Sequence, residues 1–234
     1  MKEVIDIDGK RLSVLIQQPT QAGKGVALSL HGGGLSTKET AGYLADCFTG
    51  RGFGWVSFDC TGWGESAGER AESSLADRLD DALAVIRHYG LHLDFLVGTS
   101  MGGHVALKLL EKVDARNLIL FCPAAYAAAA WQLKFGGGFT DCIRRTGSFL
   151  ETDITEVCAH YAGNVLYVMG DRDEVIPPEV DRMYRQSFRQ ARNFQTLLLA
   201  DCPHPIHRWS AGEPAMRETI RSALSQFIDS ATRP

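Results

Sequence analysis

Phe95-Leu96-Val97-Gly98-Thr99-Ser100-Met101-Gly102-Gly103-His104-Val105-Ala106-Leu107 is the stretch on which the reading of this chain turns. It is a short apolar strand, a tight turn and the start of an apolar helix, with a serine at the apex and a glycine two residues to either side. Small flanking residues permit the sharp backbone turn that lifts a serine hydroxyl out of the sheet. The helix behind the turn supplies N–H groups and positive potential where an oxyanion would form. A Gly-x-Ser-x-Gly pentapeptide alone arises by chance in many chains. With a strand before it and a helix after it, the pentapeptide marks Ser100 as a nucleophile and the Met101 amide as a donor.

Upstream, the apolar run Ala27-Leu28-Ser29-Leu30 leads directly into His31-Gly32-Gly33-Gly34. Glycine amides can approach a substrate closely, as an oxyanion hole of main-chain donors requires. A glycine run is often only a flexible turn. This one follows the first strand of the alternating part of the chain, where a second donor is expected. Gly33 is assigned as that donor beside Met101, with Gly34 its neighbouring alternative.

Downstream, Val165-Leu166-Tyr167-Val168-Met169-Gly170 reads as a strand and is followed by three acids, Asp171, Asp173 and Glu174. A carboxylate after a late strand can orient a base histidine, and on the residues alone all three compete. The next strand runs into Asp201-Cys202-Pro203-His204-Pro205-Ile206-His207, whose two histidines both lie after the acids in chain order. His204 is assigned as the base and His207 is its rival. His88, His92, His104 and His160 fall in earlier helices or turns and read as surface or core residues.

The rest of the chain fits an α/β architecture. A hairpin is expected over 3–7 and 11–16, turning at Asp8-Gly9, and then a loop over 19–25. Short apolar runs at 26–30, 54–58, 93–97, 117–121, 164–169 and 195–199 then alternate with amphipathic segments at 38–51, 73–89, 102–113, 178–189 and 213–230. That alternation predicts a mostly parallel central sheet flanked by helices, within one domain over 1–234. One segment, 123–163, contains no clear strand but carries an alanine run, Trp131, Phe135 and Phe139. It is expected to form a short lid whose aromatic residues either face an acyl group or serve as packing.

These residues together resemble the α/β-hydrolase superfamily over nearly the whole chain. His31-Gly32-Gly33-Gly34 with Lys38-Glu39, and Asp59-Cys60-Thr61-Gly62-Trp63-Gly64-Glu65-Ser66, are similar to motifs of its small esterase and serine-aminopeptidase-like branches. The resemblance implies a Ser-Asp-His triad. The Gly-x-x-Asp-x-x-Val/Ile-Pro pattern maps onto Gly170, Asp173, Ile176 and Pro177, so the implied acid is Asp173, and the implied base is His204. Trp63 stands where a histidine is frequent and is expected to reshape the site wall.

The composition agrees with this reading. At 45% hydrophobic and 22% charged residues with a net charge of −4, the chain reads as globular, without the basic surface that nucleic acid or anionic membrane would require. No apolar run approaches the roughly 20 residues that span a bilayer, and no export signal is apparent, so a cytoplasmic protein is expected. Six scattered cysteines without a C-x-x-C pair read as buried thiols. The expectation is a serine hydrolase of a small-molecule ester or thioester, with no metal and no organic cofactor. Nothing in the sequence assigns an oligomeric state. Hydrolysis of an amide or a carbon–carbon bond by the same triad is the nearest alternative. A non-catalytic binding protein on this scaffold would usually lack a triad member, and here all three types stand in order.

Overall fold

The computed structural model describes residues 1–20 and 23–233; positions 21 and 22 of the loop expected over 19–25 lie outside them. An eight-stranded sheet runs in the order β1-β2-β4-β3-β5-β6-β7-β8. β1 (Lys2–Ile7) and β2 (Lys10–Gln17) form the expected antiparallel hairpin, with Asp8 and Gly9 both at positive φ as a two-residue primed turn needs. β2 pairs antiparallel with β4 (Phe53–Phe58). β3 (Gly25–Leu30), β5 (Leu93–Thr99), β6 (Asn117–Phe121), β7 (Asn164–Gly170) and β8 (Asn193–Leu199) continue the sheet in parallel.

Every residue of β4, β6 and β7 is buried, which is why these strands read as continuous apolar runs rather than alternating ones. Helices cover both faces, and α4 (Phe139–Arg144) lies in the segment between β6 and β7. α1 (Ala45–Thr49) packs against α8 (Pro214–Ala231), while α2 (Leu75–Tyr89), α3 (Met101–Leu109), α5 (Ile154–His160) and α6 (Pro178–Ser187) pack on one another in turn. Ser74 caps α2 by accepting the Asp77 amide, and Gly90 closes it in the left-handed conformation. α3 ends four residues earlier than the apolar pattern suggests, its last turn tightening into i→i+3 bonds such as Lys112 N–H to Leu109 O at 2.9 Å.

The strand order reverses around β3. β4 lies on one side of it and β5 on the other, so the loops leaving β3 and β5 diverge and open a crevice at the carboxyl edge of the sheet.

The helix predicted over 38–51 is largely corrected. Only Ala45–Thr49 is α-helical, preceded by a 3-10 turn at Gly42–Leu44. Over 37–44 the chain makes i→i+3 turns instead, and there Asp59 holds Lys38. Its backbone N–H donates to Asp59 Oδ1 at 2.8 Å and its Nζ to Asp59 Oδ2 at 2.7 Å, which ties it to the loop after β4. Lys38 and Asp59 are both buried, and Glu65 accepts a second bond from Lys38 at 2.8 Å.

Removing one partner of a buried pair leaves an uncompensated charge. Asp59→Ala is therefore expected to lower the unfolding free energy by about 3–5 kcal/mol, measured by urea denaturation. A loss below about 1 kcal/mol, the range of exposed pairs, would contradict the buried-pair account.

Candidate active site

Ser100 sits between β5 and α3 with φ +51° and ψ −116°, a conformation that L-residues rarely adopt and that costs of order 1–3 kcal/mol. The backbone holds it there. Ser100 N–H donates to Phe121 O at 2.9 Å, and Ser100 O accepts from Gly103 at 2.9 Å and Ala124 at 3.0 Å. Glycine at 102 is required by close approach: a Cβ there would collide with the carbonyl oxygens of Leu30 and His31. That contact brings the loop after β3 against the start of α3.

His204 Nε2 lies 2.9 Å from Ser100 Oγ, and His204 Nδ1 lies 2.8 Å from Asp173 Oδ2. The other carboxylate oxygen of Asp173 accepts the amides of Val175 and Ile176, each at 2.9 Å. Burial pushes the Asp173 carboxyl up. The hydrogen bonds from His204 and from these amides outweigh it and leave the group below its usual value, so Asp173 is an anion facing the imidazole. The structure thus brings Ser100, Asp173 and His204 together. Asp171 and Glu174 are both exposed and point no side chain into this chain of bonds. Gly170 allows the arrangement, because a Cβ there would strike Cys202 O in the loop that carries His204.

His207, the rival base, also lines the cavity beside Ser100 but makes no bond to it. It is buried against the Phe121 ring at 4.6 Å between centroids, with Nε2 2.9 Å from Thr99 Oγ1 and Nδ1 3.1 Å from the Tyr43 hydroxyl. Burial, and secondly the charge of Arg217, lower its pKa to about 4, so the ring is neutral. Its bonds fasten the short helix α7 (Ile206–Trp209) to the residue just before Ser100.

A cavity of about 310 Å³ opens beside Ser100. Gly32, Gly33, Gly34, Met101, Cys122, Tyr126 and Ile206 line it, and among the described residues Arg208 is the one Lys, Arg, Asp or Glu in its lining. Gly33 lies against Met101, to whose Cε a Cβ on Gly33 would come within 3.3 Å, so the two candidate donors are neighbours. Gly34 takes the left-handed φ of +61° that turns the loop.

The expected lid needs correction in detail. Of 123–163 only Tyr126 lines the cavity. Phe135 and Gly136 donate to Ser73 O and Ala71 O at 2.9 and 2.8 Å, which fastens that part to the entry of α2. Phe135 and Phe139 pack edge to face on each other and reach Trp63 and Tyr126, and Trp131 lies beside His104, so these aromatics are packing residues. Trp63 is buried behind the glycine loop, over Arg78 at 4.7 Å, and does not form the site wall.

Cys122, Asp173 and His204 have metal-ligand atoms within 4.8 Å of one another. Asp173 and His204 already bond each other, and burial, followed by the Asp173 charge, holds the Cys122 thiol protonated well above its usual range. The set fits a hydrogen-bonded relay better than a cation. All six cysteines are free thiols.

Arg78, Thr99 and Tyr43 were not singled out in the sequence. Arg78 had a visible signal: a charge set inside the apolar stripe Leu75, Leu79, Ala82. It is buried and donates to the glycine loop.

Comparisons with known proteins agree with this fold. The family model described as serine aminopeptidase, S33, matches residues 21–146. A 2-hydroxy-6-oxononadienedioate/2-hydroxy-6-oxononatrienedioate hydrolase of Paraburkholderia phymatum is 35% identical over 91 residues, 38% of this chain and 32% of the relative, so the match spans about a third of that protein. Among solved structures, the ferulic acid complex of Est1E from Butyrivibrio proteoclasticus superposes with a TM-score of 0.76 at 18% identity, covering 98% of each chain. A Xanthomonas campestris protein described as an α/β serine hydrolase without lid gives 0.69 at 19% identity over 100% of this chain and 96% of its own. No helix among the described residues is long and apolar enough to cross a membrane.

Burial lowers the pKa of His104 to about 3, as it lowers that of His207 to about 4. The unfolded chain protonates histidine near 6.5. Below that pH the unfolded state takes up protons that the native state excludes, so stability is complete above about 6.5 and falls toward pH 4, by up to ~1.4 kcal/mol per pH unit for each histidine. Urea unfolding at pH 7, 6 and 5 is expected to show this decline, with a shallower slope in His207→Asn. Parallel slopes for the two proteins would refute it.

Proposed function

The chain belongs to the S33 serine aminopeptidase family of α/β-hydrolases, and we propose that it hydrolyses a carboxylic ester or thioester of modest size through an acyl-enzyme on Ser100. The observation that carries this reading is the relay Ser100–His204–Asp173, with links of 2.9 and 2.8 Å, opening on a cavity beside two main-chain donors.

In this mechanism Ser100 Oγ attacks the acyl carbonyl carbon while His204 Nε2 takes its proton. The imidazolium is stabilised by the Asp173 carboxylate. The carbonyl electrons move onto oxygen, which the amides of Gly33 and Met101 receive. His204 then protonates the leaving alcohol or thiol as the carbon–heteroatom bond breaks. A water activated by His204 attacks the acyl-enzyme, returns the proton through the same nitrogen and frees the acid. The cavity of about 310 Å³ favours a small acyl group over a long chain or a peptide.

A second reading is hydrolysis of a carbon–carbon bond in an oxo-dicarboxylate. Two observations favour it: the partial likeness to the Paraburkholderia hydrolase, and Arg208 as the cation of the cavity lining. Arginine matches a carboxylate in charge and in fork geometry.

A fluorophosphonate probe is expected to label the wild-type protein and not Ser100→Ala. In a panel of p-nitrophenyl esters, acyl-thioesters, aminoacyl amides and a 2-hydroxy-6-oxo-dienedioate, a short ester or thioester should be the best substrate. Ser100→Ala and His204→Ala should each lose at least about 10³-fold in kcat. A wild type that neither labels nor turns over any member would end the hydrolase reading, and turnover of the dienedioate alone would replace the first reading by the second.

A further inference from the structure

We propose that Arg78 is a positioning residue for the oxyanion hole: with His31 it clamps the Gly32 carbonyl, so that the Gly33 N–H is held facing Ser100. The inference rests on the hydrolase reading above and assigns a role to a buried charge that the mechanism does not otherwise use.

Arg78 lies inside the buried stripe of α2 at 2% exposure. Among the described residues no carboxylate pairs with it. Its Nη2 donates instead to His31 O at 2.9 Å and to Gly32 O at 3.1 Å, its Nε to Cys60 Sγ at 3.2 Å, and its plane lies 4.7 Å from the Trp63 ring centroid. Nη1 is buried with no hydrogen-bond partner among the described residues. An unpaired buried guanidinium is costly, and an apolar side chain of similar length would avoid that cost. What the cation gains here is a grip on two consecutive carbonyls of the loop that runs past the nucleophile.

His31 completes the grip. Its Nε2 lies 3.1 Å from the Cys60 amide nitrogen, and an amide N–H can only donate, so Nε2 is the acceptor and the ring proton is on Nδ1. Nδ1 is 2.7 Å from Gly32 O, which can only accept, so Nδ1 donates to it; Arg78 Nη2 also lies 2.9 Å from Nδ1, with its own two protons directed at the His31 and Gly32 carbonyls. Burial, then the Arg78 charge, keep the ring neutral. Gly32 O therefore receives two hydrogen bonds, one from a cation.

The Gly32–Gly33 peptide is planar and trans, so its N–H points opposite to its C=O. With the carbonyl directed back at Arg78 and His31, the Gly33 N–H is directed forward, on the side where Gly33 lies against Met101 and lines the cavity. A charge-assisted bond to the carbonyl also polarises the peptide and makes its N–H a better donor. Orientation and polarisation both act on charge that exists only after Ser100 attacks, so the effect belongs to the transition state.

The test compares wild type, Arg78→Met and Arg78→Lys on a p-nitrophenyl ester, with circular dichroism and melting temperature reporting the fold. Arg78→Met is expected to lose about 10- to 100-fold in kcat with KM nearly unchanged, since one misaligned donor costs less than a deleted one. A trifluoromethyl ketone, which adds to the serine and forms an oxyanion, should lose affinity by a similar factor. The corresponding methyl ketone, bound without addition, should not. Arg78→Lys keeps the cation but cannot reach both carbonyls in the same way, and is expected to fall between the other two. A folded Arg78→Met with kcat and trifluoromethyl ketone affinity within twofold of wild type overturns the proposal. If the Met variant does not fold, an Arg78→Lys indistinguishable from wild type in both readouts overturns it equally. A wild type inert to every ester defeats the hydrolase reading and this inference together, whereas an active wild type with equally active variants defeats only this one.

Discussion

The approach of the end of β3 to the first turn of α3 is the constraint on which the site depends. At Gly102 the two backbones are so close that the carbonyls of Leu30 and His31 occupy the space a Cβ would need. Side chains cannot set a spacing that tight; only main chain against main chain can. β3 is also the strand at which the sheet order reverses, so the same contact lies at the crevice where the loops leaving β3 and β5 part. The strained φ of Ser100 is maintained by the same geometry, since its own N–H and C=O are taken by β6 and by the turn behind it. A second close approach, Gly170 under the carbonyl of Cys202, fixes the other half of the site by letting the His204 loop cross the end of β7.

Behind these backbone contacts lies an unusual density of buried charge. Lys38 and Asp59 form a pair with both members buried, and Asp81, fully buried, accepts from Lys10 and from both donors of Thr61. Arg78 is handled differently, by carbonyls, a sulfur and an aromatic face. Buried polar groups of this kind contribute little net stability compared with apolar packing. They do restrict the conformations open to the loops after β3 and β4, because any alternative leaves a desolvated charge without partners. For loops that must hold an amide in one orientation, that restriction matters more than the net energy.

What was legible in the sequence follows from these causes. The strands were legible because β4, β6 and β7 are buried on both faces and read as apolar runs with turn residues at their ends. Ser100 was legible because its glycines answer a backbone requirement that few other residues can meet. The helix expected at 38–51 was not, because an amphipathic pattern does not distinguish an α-helix from the i→i+3 turns that the chain makes over 37–44, where Lys38 is held by Asp59, 21 residues later. The aromatics of 123–163 were ambiguous for a similar reason. A phenylalanine facing a substrate and one facing Trp63 look the same in one dimension, and only the tie of Phe135 to Ser73 O decides between them.

His204 and His207 illustrate how little separation in sequence is needed for two identical side chains to take up different chemistry. Three residues apart at the start of a short helix, they point to different surroundings. His204 meets a carboxylate on one nitrogen and the serine hydroxyl on the other, and keeps 17% of its side chain exposed to the cavity. His207 meets only hydroxyls, from Thr99 and Tyr43, under a phenyl ring. A carboxylate stabilises an imidazolium, so the first ring can accept a proton during a reaction. Burial without a counter-charge penalises it, so the second stays neutral and serves as a tie between α7 and the residue before Ser100. The tie also bears on the first ring: His204 is two residues before α7, and a helix fastened to Thr99 keeps its imidazole over the hydroxyl of the next residue in the chain.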